Sequence, residues 1–153
     1  MKSICAHLGA APRTIALREL NLEPKEDQVL VRVTACGICR GDIIEFGQPR
    51  ERESTFGHEA VGQVVARGPW VRGLKEGDWV VGSIWPGFAT FALAPEGGLF
   101  KAPAEFSRTG ALVEPLKCVT TVVRAAAAEL GDVVAVVGCG FMGLAAVADL
   151  AGG

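Results

Sequence analysis

Cys36 and Cys39 stand three residues apart, as C-x-x-C. That spacing reads as a redox pair, as half of a zinc site, or as two buried thiols. There is no second C-x-x-C to choose among them. Gly57-His58-Glu59 adds an imidazole and a carboxylate between two strand-like segments. Glu114 adds another carboxylate, in the otherwise apolar stretch Ala111 to Leu116. Thiolate, imidazole and carboxylate can supply the three protein ligands of a catalytic zinc that keeps one position open. The same residues also suit plainer roles, His58 as a hydrogen-bonded core histidine and Glu114 as a helix-cap carboxylate. The five cysteines, at 5, 36, 39, 118 and 139, are odd in number, and no secretion signal accompanies them. A disulfide framework is therefore not expected, and metal ligation or burial is.

A second group lies near the end of the sequence. Gly138-Cys139-Gly140-Phe141-Met142-Gly143 has the form G-x-G-x-x-G. An apolar run, Asp132 to Val137, precedes it, and an alanine-rich helical pattern, Leu144 to Leu150, follows. In that context the first glycine permits a tight turn. The second lets a pyrophosphate approach the backbone, and the third lets helix and strand pack. A helix N-terminus then faces the phosphates. The alternative is a glycine turn with no ligand. The residue that separates a ribose 2′-OH from a 2′-phosphate falls about 20 positions later, past residue 153, so NAD and NADP both stay open.

Two kinds of texture must position these groups. Up to about residue 100, short β-like runs alternate with turns. Ile15-Ala16-Leu17, Val29 to Val33, Ala60 to Ala66, Trp79 to Val81 and Phe88 to Leu93 read as strands. Glu26-Asp27, Arg67-Gly68-Pro69, Glu76-Gly77-Asp78 and Trp85-Pro86-Gly87 read as turns. Many short strands with little helix suggest a partly closed barrel. From Ser107 to Leu130 a helix is expected, in one or two pieces around Glu114-Pro115, ended by Gly131. Asp132 to Val137 then reads as a strand of a parallel sheet. One parallel strand makes no sheet. It needs more chain or a partner, or else it stays irregular.

The whole chain has 153 residues, about one domain's worth. Half of it is hydrophobic, and 15 basic against 17 acidic residues leave a net charge of -2. That balance gives no reason to expect nucleic acid or an anionic membrane as partner. No apolar stretch is long enough to span a bilayer as a helix, and the first residues carry no signal-peptide pattern. A soluble, cytoplasmic protein is the expectation.

Taken together, Cys39-Arg40-Gly41-Asp42, Gly57-His58-Glu59, Glu76-Gly77-Asp78, Glu114-Pro115-Leu116 and the glycine loop resemble the zinc-dependent alcohol dehydrogenases. These belong to the medium-chain dehydrogenase/reductase superfamily, with its sorbitol and threonine dehydrogenase branches. The resemblance covers essentially all of the chain, in the family's order. It implies a mainly β fold. A GroES-like partly closed β-barrel catalytic domain with its connecting helix would occupy residues 1–130. The first βα unit of a truncated Rossmann domain would occupy residues 131–153.

The resemblance also assigns roles. Cys39 matches the first catalytic zinc ligand, with Cys36 as a neighbour. His58 matches the second ligand, Glu59 a glutamate that ligates zinc in some members, and Glu114 the third position. Asp42 matches a carboxylate that orients His58. Gly138, Gly140, Phe141, Met142 and Gly143 match the dinucleotide loop. Cys118 either helps line the nicotinamide pocket or simply packs. Three departures accompany the match. Gly41 lacks the hydroxyl that often relays the substrate proton, a role left to a water, Glu59 or His7, or to a different substrate. Ser83 to Phe91 carries no cysteine, so one catalytic zinc and no structural zinc is expected. Members are also roughly twice as long.

The implied chemistry is hydride transfer between an alcohol or polyol and NAD or NADP, with a small-molecule alcohol or carbonyl substrate. The full-length parent would be a homodimer or homotetramer. Trp85 and Phe88 would offer an apolar wall or pack a surface loop. A metal-binding or assembly module without enzymatic activity is the alternative if residue 153 is the native end. A zinc-free reductase fits the Cys39, His58 and Glu114 set poorly.

Overall fold

The computed structural model describes residues 1–103, 105 and 113–152. The backbone divides into two compact units, Met1–Leu112 and Val113–Gly153.

Among the described residues, the first unit holds eight strands in two sheets. β1 (Lys2–Leu8) lies between β2 (Ile15–Asn21) and the two-residue β4 (Ser54–Thr55). The second sheet runs β7 (Phe91–Pro95), β3 (Gln28–Gly37), β5 (Glu59–Arg67), β6 (Trp79–Gly82), β8 (Leu99–Lys101), every pair antiparallel. Backbone hydrogen bonds tie one sheet to the other, Thr90 N–H to Ile4 O at 2.9 Å and Ala6 N–H to Phe88 O at 2.9 Å. Residues 88–90, expected within the last strand, therefore bond β1, and β7 starts at Phe91.

β3 lies inside the second sheet, between β7 and β5, with Val29, Leu30 and Val31 buried on its two faces. Val29 and Val31 pack with Val64, Val80 and Ile84 into one apolar core. Each such valine contributes roughly 1.5–3 kcal/mol relative to exposure. A register shift between Val33 and Ala35 bends the end of β3. Beyond that bulge the strand carries Cys36 and Gly37 to the sheet's edge.

The strands expected at Ile15, Val29, Ala60 and Trp79 are present, extended by a few residues. β1 and a short helix, α1 (Arg40–Phe46), were not expected. The inward face of β1 is Ser3, Cys5 and His7, which has no apolar look. Ser3 is nonetheless fully buried, and its hydroxyl donates to Phe91 O at 2.7 Å.

The second unit has two helices packed on each other, α2 (Leu116–Ala126) and α3 (Phe141–Gly152). Residues 107–112 of the expected long helix lie outside the described residues. Gly131 does not end α2. Ala127 does, in a left-handed conformation at φ 47°. The expected strand at Asp132 to Val137 is not formed. A parallel strand gains its hydrogen bonds from neighbours, and none is present in this unit. Val133 and Val137 are fully exposed. No helix among the described residues is long and apolar enough to cross a membrane.

Candidate metal centre

The β3–β5 ladder ends on the pair Gly37–Glu59. Cys39 follows two residues later on one strand, and His58 precedes by one on the other. Their donor atoms, with a Glu59 carboxylate oxygen, lie within 4.8 Å of one another, all half-buried. Donors bound to zinc at about 2.0–2.3 Å sit roughly 3.3–3.8 Å apart. Small side-chain rotations close that gap, so sulfur, nitrogen and oxygen here fit the ion.

Each ligand is held by its backbone. Cys39 occupies the N-cap of α1, where its amide donates to Asp42 Oδ2 at 2.8 Å. Asp42 is the buried residue of that helix. Among the described residues, its recorded hydrogen bond goes to the Cys39 amide and not to His58. It therefore fixes the loop that carries Cys39. His58 follows Gly57, which sits at φ +83°. A Cβ on Gly57 would lie 2.5 Å from the Phe88 ring. The Gly57 carbonyl accepts the Gly87 amide at 2.8 Å. Residues 57 and 87 thus approach as only glycines can.

Cys36 stays outside the cluster. Burial pushes its thiol up to about 11, the Glu59 amide lowers it, and the Asp42 and Glu59 charges add to the rise. On β1, His7 faces Thr55 across the ladder, and its Nε2 is buried without a partner among the described residues. A Cβ on Gly41 would meet only Cys39 Sγ, at 3.8 Å.

Glu114 belongs to the second unit. It precedes α2 and pairs with Lys117 Nζ at 3.0 Å. Cys118 and Cys139 are exposed. In the glycine loop, Gly138 has φ +109°. A Cβ on Gly143 would fall 1.9 Å from Gly138 O, while one on Gly140 would meet nothing within 4 Å. Gly138 thus takes a conformation that favours glycine, and Gly143 lies too close to its own loop for a side chain. Phe141 and Met142 begin α3 and are exposed.

The sequence reading missed a cavity of about 400 Å³ beside the cluster, lined by Ala6, Ile15, Ile38, Asp42, Ile43, Phe46, Phe56 and Phe88. Phe88 was the one signal for it. Trp85 turns elsewhere, its Nε1 donating to Thr55 Oγ1 at 3.1 Å.

The family described as Alcohol dehydrogenase GroES-like domain matches residues 25–104. The (R,R)-butanediol dehydrogenase of Bacillus subtilis (strain 168) is 34% identical, over 84% of this chain and 49% of that protein. The sorbitol dehydrogenase of Halalkalibacterium halodurans is 30% identical, over 80% of this chain and 45% of that protein. The crystal structure of 2R,3R-butanediol dehydrogenase from Bacillus subtilis superposes with a TM-score of 0.83 at 27% identity, covering 98% of this chain and 55% of that one. This chain spans about half the length of the curated relatives it matches.

Proposed function

Because the chain belongs to the alcohol dehydrogenase GroES-like domain family, within the medium-chain, zinc-type alcohol-dehydrogenase-like superfamily, we propose that it carries the metal-holding part of a zinc-dependent oxidoreductase. The reaction is hydride transfer between an alcohol or polyol and NAD or NADP. One observation carries this reading: Cys39, His58 and Glu59 converge at the end of the β3–β5 ladder in a chain of this family. The names of the butanediol and sorbitol relatives support a diol or polyol as one substrate class.

In this reading Cys39 and His58 hold the ion, with Glu59 and Glu114 as the carboxylates that complete or exchange within the set. A zinc ion held there supplies a Lewis acid that polarises a carbonyl and lowers the pKa of a hydroxyl. Asp42 keeps the Cys39 loop in place. Gly138, Gly140 and Gly143, with the start of α3, receive the pyrophosphate of a nicotinamide dinucleotide, which supplies the hydride chemistry. Cys118, on α2, would help line the nicotinamide pocket or simply pack.

The unpaired segment 133–137 favours a second reading for this chain taken by itself, metal binding without turnover. The test is zinc content by atomic spectroscopy, for the wild type, Cys39→Ser and His58→Ala, beside an alcohol assay with each nicotinamide cofactor. One zinc per wild-type chain, lost in both variants, is expected. Equal zinc in all three would overturn the ligand assignment. Zinc without turnover in the full-length protein selects the second reading, since the 153-residue segment alone is expected to be inactive in either case.

A further inference from the structure

We propose that Cys36 is a positioning residue of the metal centre. Its sulfur is a wedge that seats the Gly57-His58-Glu59 segment against the loop at Gly87, and so sets where His58 and Glu59 present their donor atoms. The inference rests on the metal-centre reading and deepens it, since Cys36 itself stays outside the ligand cluster.

Cys36 faces Ala60 across the β3–β5 ladder, one rung before the terminal Gly37–Glu59 pair. Its side chain packs against the apolar core, and its sulfur accepts the Glu59 amide. A Cβ on Gly87 would lie 2.5 Å from this sulfur and 3.0 Å from the carbonyl carbon and oxygen of Gly57. Gly87 is not among the glycines with a left-handed backbone. Contact, not conformation, therefore excludes a side chain there. The Gly87 amide in turn donates to Gly57 O at 2.8 Å. The Cys36 sulfur, Gly87 and Gly57 thus form one tight stack. Through it both chain neighbours of His58 are held, Gly57 before it and Glu59 after it. Interiors packed this closely turn a small change of volume into a shift of side chains and backbone.

The test loads the chain with cobalt(II) in place of zinc, and measures zinc affinity by competitive titration. It compares wild type, Cys36→Ala, Gly87→Ala and the double variant. Cys36→Ala is expected to keep the sulfur-to-cobalt charge-transfer band, which Cys39 supplies. Its ligand-field bands should change, and its zinc affinity should fall about tenfold. Gly87→Ala presses on the same stack from the other side and should do likewise. In the double variant the new methyl group enters the space that the sulfur has left. Its loss should stay near about tenfold, where independent effects would multiply to about a hundredfold. A purely structural role would lower the stability of the metal-free chain and leave the cobalt bands of the folded protein as in wild type. That result, or independent multiplication, would overturn the proposal. So would loss of the charge-transfer band, which would make Cys36 a ligand. Circular dichroism identifies a variant that fails to fold, and Cys36→Ser then gives the same readings with a gentler change. A wild type that takes up neither metal sinks the metal reading and the wedge with it. Metal uptake that is unaffected in every variant sinks the wedge alone.

Discussion

Gly37 and Glu59 are direct partners on the last rung of the β3–β5 ladder. That rung sets the site. It brings Cys39 and His58, nineteen positions apart in the sequence, to one end of the sheet, together with Glu59. The ladder is anchored by buried valines, so the ligand loops start from a rigid edge rather than from a long flexible connection.

Asp42→Ala should leave the half-buried Cys39 amide without its acceptor. A loss of about 1–3 kcal/mol in unfolding free energy is expected, with zinc affinity lowered about tenfold or more. Asp42→Asn keeps a carbonyl acceptor and should recover most of the stability. Denaturant unfolding and a competitive zinc titration measure the two effects. Equal loss in both variants would show that the charge matters, not the hydrogen bond.

Gly57→Ala meets two obstacles, a positive φ and the Phe88 ring at 2.5 Å. A destabilisation of about 1–3 kcal/mol is expected, together with weaker zinc binding because His58 is the next residue. Thermal unfolding that stays within about 0.5 kcal/mol of wild type would contradict the geometry.

Gly41→Ser, in contrast, should be tolerated. The nearest atom to the added Cβ is Cys39 Sγ at 3.8 Å. Replacing glycine inside α1 should also raise stability by a few tenths of a kcal/mol, about the difference in helix propensity. A melting temperature clearly below wild type would mean that the loop needs the bare backbone.

Acid should destabilise the first unit through Glu96 and Asp78. The Arg72 amide, then those of Gly73 and Leu74, hold the Glu96 carboxyl below its usual range, against a smaller desolvation effect. For Asp78 burial pulls upward, but the Lys75 amide and the Lys101 ammonium together win and lower it. A carboxyl lowered on folding stabilises fully above its unfolded pKa, about 4. That contribution is lost as pH falls through the folded value. Unfolding free energy should therefore drop below about pH 4.5, and less steeply in Glu96→Gln. Parallel pH profiles for the two proteins would refute the assignment.

Val133 and Val137 expose an unpaired apolar segment, open to pairing with another strand. Sedimentation velocity of the 153-residue chain should show association that grows with concentration. Val133→Lys combined with Val137→Lys should suppress it. A monomer at every concentration would show that the segment is inert.

The candidate ligands were legible because their signals are local. C-x-x-C, Gly-His-Glu and the glycine loop are covalent spacings of a few residues, and the turn at Gly138 needs no distant partner. The strands of β3 and β5 were legible for a similar reason, since a run such as Val29 to Val33 states its own burial. What depended on partners was not. β1 hides its buried face behind Ser3 and Cys5, which meet residues 89–91 across the fold. α1 begins with Arg40-Gly41 and carries two β-branched isoleucines, poor helix material, yet Asp42 caps it. Asp132 to Val137 has the composition of a strand and no neighbour to bond. The sequence by itself determined which atoms are available for chemistry and the local turns that bear them. The tertiary structure alone decided that Cys39, His58 and Glu59 meet, that Asp42 serves the Cys39 amide, and that an apolar cavity lies beside them, because each is a relation between distant segments fixed by strand register and packing.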